Sequence, residues 1–278
     1  MFRVASVPYV NARPLVVALE RFGWADVVYA VPSQLPAMLE SGAVDAIMVS
    51  SFDALRTPRR TFAAGCAIAS LDRADSVRLF SKVPFESIQT LALDQSSLTS
   101  NHLALVLLAE VYGVRPSAAP AAPDLKSMLA NHDACVIIGD KGLEADGAGL
   151  LELDLGAAWR AWTQKPFVWA LWVGREDMAT ELATLFGEAL AWGRAHWDEV
   201  IADAVARSGW TPEVARHYLR DTMSYDLSPD HLAGLEMFRA SLARLGFIED
   251  RPLPPIVEPG LAVVAKPQAS SRATQIPY

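Results

Sequence analysis

The chain's 278 residues include only two cysteines, Cys66 and Cys135. Both lie in apolar surroundings, "AAGCAIAS" and "DACVIIGD", where a thiol behaves as a small buried hydrophobe. No CxxC pair and no close Cys/His spacing is present, and the histidines (His102, His132, His196, His217, His231) are scattered. A metal site is therefore not expected. Blocks of Lys and Arg are also missing from a chain of formal net charge -8, which speaks against a nucleic-acid partner. No apolar run reaches the ~18 residues of a membrane span. "MFRVASVPYV" lacks the pattern of a secretory leader, so a cytoplasmic location is expected, with no membrane partner. The nucleotide-binding loops GxGxxG and GxxxxGK[ST] are absent, as is the GxSxG nucleophile elbow.

Hydrophobic residues make up 52% of the chain, enough for one large core or two smaller ones. Short apolar runs at Phe2–Val7, Asp26–Ala30, Val44–Ser50, Val77–Ser81, Thr90–Leu93, Ala134–Ile138 and Val168–Val173 read as strands. Amphipathic stretches alternate with several of them, among them "RPLVVALERFG" with Pro14 in a first-turn position and Gly23 as its stop. That alternation predicts an α/β protein with parallel-rich sheets flanked by helices. From Glu176 to about Phe247 the pattern is helical, with no strand expected and with Trp192, Trp197 and Trp210 anchoring helices. The grouping predicts two lobes: residues 1–83 and 175–250 form lobe one, and residues 84–174 form lobe two. Residues 251–278, rich in proline, read as an extended or disordered tail. Crossover segments near 81–84 and 174 would form a hinge above a cleft.

In open parallel sheets a ligand lies beyond the carboxyl ends of the strands. The predicted ends offer Pro8, Tyr9, Asn11 and Arg13; Ser50 and Ser51; Ser96, Ser97, Thr99 and Ser100; and Gly139 with Asp140. Ser76 stands just before another strand. Hydroxyls and amides at helix starts hold a carboxylate or phosphate with little help from Arg or Lys, although each one alone also reads as an ordinary helix cap. Asp94 and Asp140 both follow strands, and Asp140 is the functional candidate. Arg78 reads as one side of a surface ion pair, and Trp169 and Trp172 as core residues of which one ring is free to line the cleft.

The ordered set "SVPYVNARPL", "SVRLFSK", "LDQSSLTS", "DACVIIGD", "DLGAAW", "TQKPFVWALWV" and "MSYDLSPDHLAGLEMFRASLARLGFI" resembles the chorismate dehydratase family of the futalosine route to menaquinone, over about residues 2–248. The resemblance implies a two-lobed periplasmic-binding-protein-like (type II) fold. It also implies loss of water from chorismate, a small dicarboxylate, to give 3-[(1-carboxyvinyl)oxy]benzoate, with no cofactor. It puts Asn11 in the active site and Ser76, Ser97, Thr99 and Ser100 around the substrate carboxylates; Tyr9, Ser50, Gly139 and Asp140 fall in matching motifs. Thr163, Gln164, Lys165 and Pro166 depart from the commoner Thr-Gly-Leu-Pro pattern at the rim of the cleft. Two alternatives stay open. One is 1,4-dihydroxy-6-naphthoate synthase, which would need a second-lobe histidine, His102 or His132. The other is a non-catalytic binding protein for a small carboxylate.

Overall fold

The computed structural model describes residues 1–57 and 61–257. Its strands are β1 (Phe2–Ser6), β2 (Ala25–Tyr29), β3 (Ala46–Ser50), β4 (Thr61–Ser70), β5 (Val77–Ser81), β6 (Thr90–Asp94), β7 (Ser117–Ala121), β8 (Ala134–Ile138), β9 (Leu151–Asp154), β10 (Phe167–Gly174), β11 (Met223–Ser224) and β12 (Ile256–Val257). The helices are α1 (Arg13–Arg21), α2 (Leu35–Glu40), α3 (Ser51–Arg56), α4 (Thr99–Glu110), α5 (Leu125–Asn131), α6 (Gly139–Glu144), α7 (Leu155–Thr163), α8 (Ala179–Ala195), α9 (Trp197–Ser208), α10 (Pro212–Arg216) and α11 (Pro229–Arg244). No helix among the described residues is long and apolar enough to cross a membrane.

Two sheets form. The first runs β11-β4-β10-β3-β1-β2, with β12 also paired to β4; the second runs β7-β6-β8-β5-β9. Both are mixed. β1 is parallel to β2 and β3, and β6 is parallel to β7 and β8. The strands that carry the chain in from the other sheet are antiparallel to their neighbours, β5 against β8 and β10 against β3, and the short β11 is antiparallel to β4.

That pairing moves the expected lobe boundary. β5 belongs to the second sheet and β10 to the first, so the chain crosses within residues 71–76 and 155–166, not near 81–84 and 174. The ladder decides the matter, because β5 takes all five of its residues into register with β8. The expectation that 176–247 is free of strand also fails at β11, which adds to the edge beyond β4. Residues 251–257 of the expected tail lie within the described chain, and Ile256 and Val257 pair with β4; residues 258–278 lie outside the described residues.

The two crossings are tied together. Asp154 caps α7 by accepting from Ala157 N at 2.9 Å and also accepts from Asp75 N at 2.8 Å. At Gly156 a β-carbon would sit 2.5 Å from the Asp72 carbonyl oxygen, so only glycine lets α7 pass this close to the first crossing.

Side chains of the second sheet alternate in the usual period of two. Ala134 and Val136 enter the main core, whereas Cys135 and Ile137 join a smaller cluster with Met128 and Leu129 of α5. Both thiols are buried, and burial pushes each up to about 12, as the small-hydrophobe reading requires. Trp192, Trp197 and Trp210 pack, partly buried, against the main core.

Candidate active site

A cleft of about 900 Å³ opens between the sheets, at the carboxyl ends of β1, β3, β6 and β8. Tyr9, Asn11, Ser50, Ser76, Ser97, Thr99, Ser100, Gly139 and Asp140 all line it. Each arrives by a simple local route. The chain leaving β1 makes a single helical turn, Val10–Ala12, that places Tyr9 and Asn11 before Pro14 starts α1. Ser50 ends β3 and caps α3, accepting from Asp53 N at 3.2 Å. Ser97 Oγ accepts from Ser100 N at 3.3 Å, closing the turn into α4. Gly139 opens α6 with φ +64, a value that glycine adopts without penalty.

Neither α4 nor α6 has a side-chain bond from its N-cap residue; in α4 Ser97 Oγ takes the Ser100 N–H, and the neighbouring first-turn N–H groups face the cleft mouth as donors for a ligand. Thr99 serves a second purpose. Its Oγ1 accepts from Phe52 N at 3.0 Å, a bond from α4 of one half to α3 of the other. The Ser76 and Tyr218 hydroxyls are 2.8 Å apart. Asn11 Oδ1 is buried and has no hydrogen-bond partner.

Among the described residues the cleft wall contains no Lys, Arg or His. Its one carboxyl group, Asp140, is exposed, and partial burial and then Glu144 push it above the usual carboxylate range. The Tyr9 phenol is pushed up by burial, with Asp94 and Asp140 adding to the effect. Apolar side chains complete the wall, with Val7, Met48, Ile68 and Trp169 among them. Trp169 donates through Nε1 to Ser70 Oγ at 3.1 Å, while Trp172 is stacked on Phe186 in the core. One ring of the pair therefore lines the cleft.

Other strand-end residues are used elsewhere. Arg13 is buried on the far side of its loop and binds Asp203 and Glu20. Ser51 donates to Val168 O. Asp94 is buried, accepting from Ser96 N and Ile138 N, so it shapes the loop and does not enter the cleft. Arg78 pairs with Glu152, as expected of a surface ion pair, and also reaches the Gly142 and Ala145 carbonyls. His102 stacks on Phe52, and burial holds its ring below the usual value; His132 sits at the end of α5 against Met128 O. Neither histidine lines the cleft.

The sequence reading missed Tyr218, Ile68 and Met223, which also line the cleft. Ile68 and Met223 come from strands that went unread. Tyr218 comes from a helical stretch whose pattern does not mark it.

Comparison with known proteins agrees with this geometry. The family profile described as menaquinone biosynthesis matches residues 2–244. The chorismate dehydratase of Thermus thermophilus is 30% identical over 254 residues, 84% of this chain and 92% of that protein. A solved protein of Archaeoglobus fulgidus superposes with TM-score 0.71 at 18% identity, covering 89% of this chain and 98% of its own. The periplasmic aliphatic sulphonate binding protein of Escherichia coli does so with TM-score 0.62 at 14% identity, covering 99% and 96%. At these identities the two structures speak for the fold alone, that of periplasmic binding proteins.

Proposed function

This chain belongs to the menaquinone biosynthesis family, and on that premise we propose that it is a hydro-lyase converting chorismate to 3-[(1-carboxyvinyl)oxy]benzoate and water. One observation carries the reading: neutral donors from four strand ends converge on a cleft whose wall, among the described residues, has no cation. A small acid with two carboxylates fits such a wall, because helix starts and hydroxyls grip it without a strong positive field. The apolar patches suit its carbocyclic ring. On this reading the protein works in the cytoplasm, among biosynthetic intermediates.

The chemistry asks little of the protein beyond placement. A proton leaves the ring carbon that bears the enolpyruvyl ether, the neighbouring C–O bond breaks, and proton and hydroxide depart as water. The ring becomes aromatic, which drives the step. Orientation and stabilisation of the moving charge remain. Asn11 cannot act as a base, because an amide is not basic near neutrality. Its unpartnered Oδ1 instead orients the leaving hydroxyl by accepting from it, and the Ser76 hydroxyl donates to that oxygen as the C–O bond breaks. A carboxylate of the substrate itself takes the proton, and Asp140 is the protein-side competitor for that role. Ser97, Ser100 and the α4 start hold the carboxylates, with Ser50 and Tyr9 at the opposite wall. The histidine needed by 1,4-dihydroxy-6-naphthoate synthase has no counterpart in the cleft wall.

The test is direct. Purified protein incubated with chorismate should yield an aromatic product, seen by its ultraviolet absorbance and by a mass lower by one water. Chorismate recovered unchanged would refute the proposal and favour a non-catalytic carboxylate binder.

A further inference from the structure

Tyr218 stands on a π-helical turn, His217–Thr222, between α10 and β11. Such turns are uncommon and often occur at functional sites, because the extra residue re-aims the side chains around it. Here the turn points Tyr218 inward. The residue is 3% exposed, yet it lines the cleft. Its hydroxyl lies 2.8 Å from Ser76 Oγ, and the single helical turn that carries Asn11 packs against the π-turn. Trp210 closes over the ring edge-on, with centroids 5.6 Å apart. Three polar side chains from three separate segments therefore meet at one corner: the loop after β1, the first crossing, and the π-turn.

The corner has a direction. An amide carries a donor at one end and an acceptor at the other. With Nδ2 turned to the phenol oxygen, Asn11 presents Oδ1, and Oδ1 is the buried atom that lacks a partner. A phenol oxygen that accepts from Asn11 gives its own proton to Ser76 Oγ. The Ser76 hydrogen is then free to point into the cleft. One hydroxyl thus fixes an acceptor at Asn11 and a donor at Ser76.

We propose that Tyr218 is a positioning residue, whose hydroxyl holds Asn11 acceptor-first and Ser76 donor-first toward the ligand while staying clear of the reacting atoms. The inference rests on the dehydration proposed above. Burial pushes the phenol up to about 12, against the pull of Ser76 and Asn11, so it remains protonated and able to donate near neutrality.

The experiment compares wild type, Tyr218→Phe, Asn11→Ala and the double variant in chorismate turnover. Wild-type turnover is read first, since its absence removes the proposed function and not this inference alone. With wild type active, Tyr218→Phe should lower kcat by roughly tenfold to a hundredfold with KM changed less than about threefold. The double variant should be slower than Asn11→Ala by clearly less than the factor Tyr218→Phe costs the wild type, because only the Ser76 arm is then left to lose. An unchanged kcat in Tyr218→Phe, or losses that multiply in the double variant, would overturn the idea. If Tyr218→Phe does not fold, Ser76→Ala tests the other arm of the corner: a comparable fall in kcat that does not add to Asn11→Ala supports the proposal, and full turnover refutes it.

Discussion

Replacing Asp140 with Asn separates the two candidate bases. The change keeps the size of the side chain and removes its charge. Asp140 is the sole carboxyl group in the cleft wall, and no Lys, Arg or His stands there among the described residues to offset it. When ionised, it faces a ligand with two negative charges. At a separation of roughly 6 Å the repulsion is about 0.7 kcal/mol in water and about 3 kcal/mol at a dielectric of ~20. Asp140 is exposed, so the screened end of that range applies, and about 1 kcal/mol corresponds to roughly fivefold in binding. If the substrate's own carboxylate takes the proton, Asp140→Asn should lower KM about fivefold and leave kcat within about threefold. The KM difference should shrink as ionic strength rises from about 0.01 to 0.1 M, where the screening length falls to ~10 Å. Steady-state kinetics at both salt concentrations read all three quantities. A kcat lower by ~100-fold or more with KM unchanged would make Asp140 the base and end the substrate-assisted scheme.

Alkaline stability offers a test independent of activity. The Tyr218 phenol, ordinarily at 10.0, is pushed up to about 12 in the folded chain, chiefly by burial. Between those values the unfolded chain has released a proton that the folded one keeps. The contribution is whole below pH 10 and is lost as pH climbs toward 12, by about 2–3 kcal/mol in all. Urea unfolding at pH 9 and pH 11 should show about half of that loss, roughly 1.4 kcal/mol, as the extra loss of wild type over Tyr218→Phe; equal losses would refute the assignment. At Thr99, substitution by Ala strands the buried Phe52 N–H, at a cost of roughly 1–3 kcal/mol. Thr99→Ser keeps the acceptor. Thermal melts should therefore separate Ala from Ser by several degrees, and coincident melts would show that the bond between the halves does not contribute.

Strand-end logic gathered residues that share one cleft because it depends on few elements. Once β1, β3, β6 and β8 are placed, the residues after them must converge, and small hydroxyls there carry their own signature. What stayed hidden has local physical reasons. β4 is "TFAAGCAIAS", rich in Ala and broken by Gly65 at φ +79, so it has few of the β-branched residues that mark a strand. β7 contains Pro120, which reads as a breaker but is tolerated on the sheet's edge. β11 is two residues long and is held by its ladder with β4. Because β4 and β11 went unread, so did their contributions to the cleft, Ile68 and Met223. Tyr218 was hidden for another reason: helical periodicity assumes 3.6 residues per turn, and a π-turn departs from it.

The absence of cations from the cleft wall among the described residues has a mechanistic logic. Chorismate and its dehydrated product both carry two carboxylates, so any group that grips those carboxylates holds substrate and product alike. Such uniform binding lowers KM and does nothing for the chemical step. Arg or Lys in the wall would strengthen that unproductive hold and slow product departure. Neutral N–H and O–H donors at the starts of α4 and α6 give enough grip while leaving affinity modest. What must differ between ground state and transition state is the contact at the leaving hydroxyl, the one group that changes charge and departs. In the proposed scheme that contact falls to the corner of Asn11, Ser76 and Tyr218, and the carboxylates fall to Ser97 and Ser100. The division predicts a kinetic asymmetry. Substitutions at Ser97 or Ser100 should act mainly on KM, and those at the Asn11 corner mainly on kcat. A Ser97→Ala variant whose kcat fell as far as that of Asn11→Ala, at unchanged KM, would show that the two tasks are not separated.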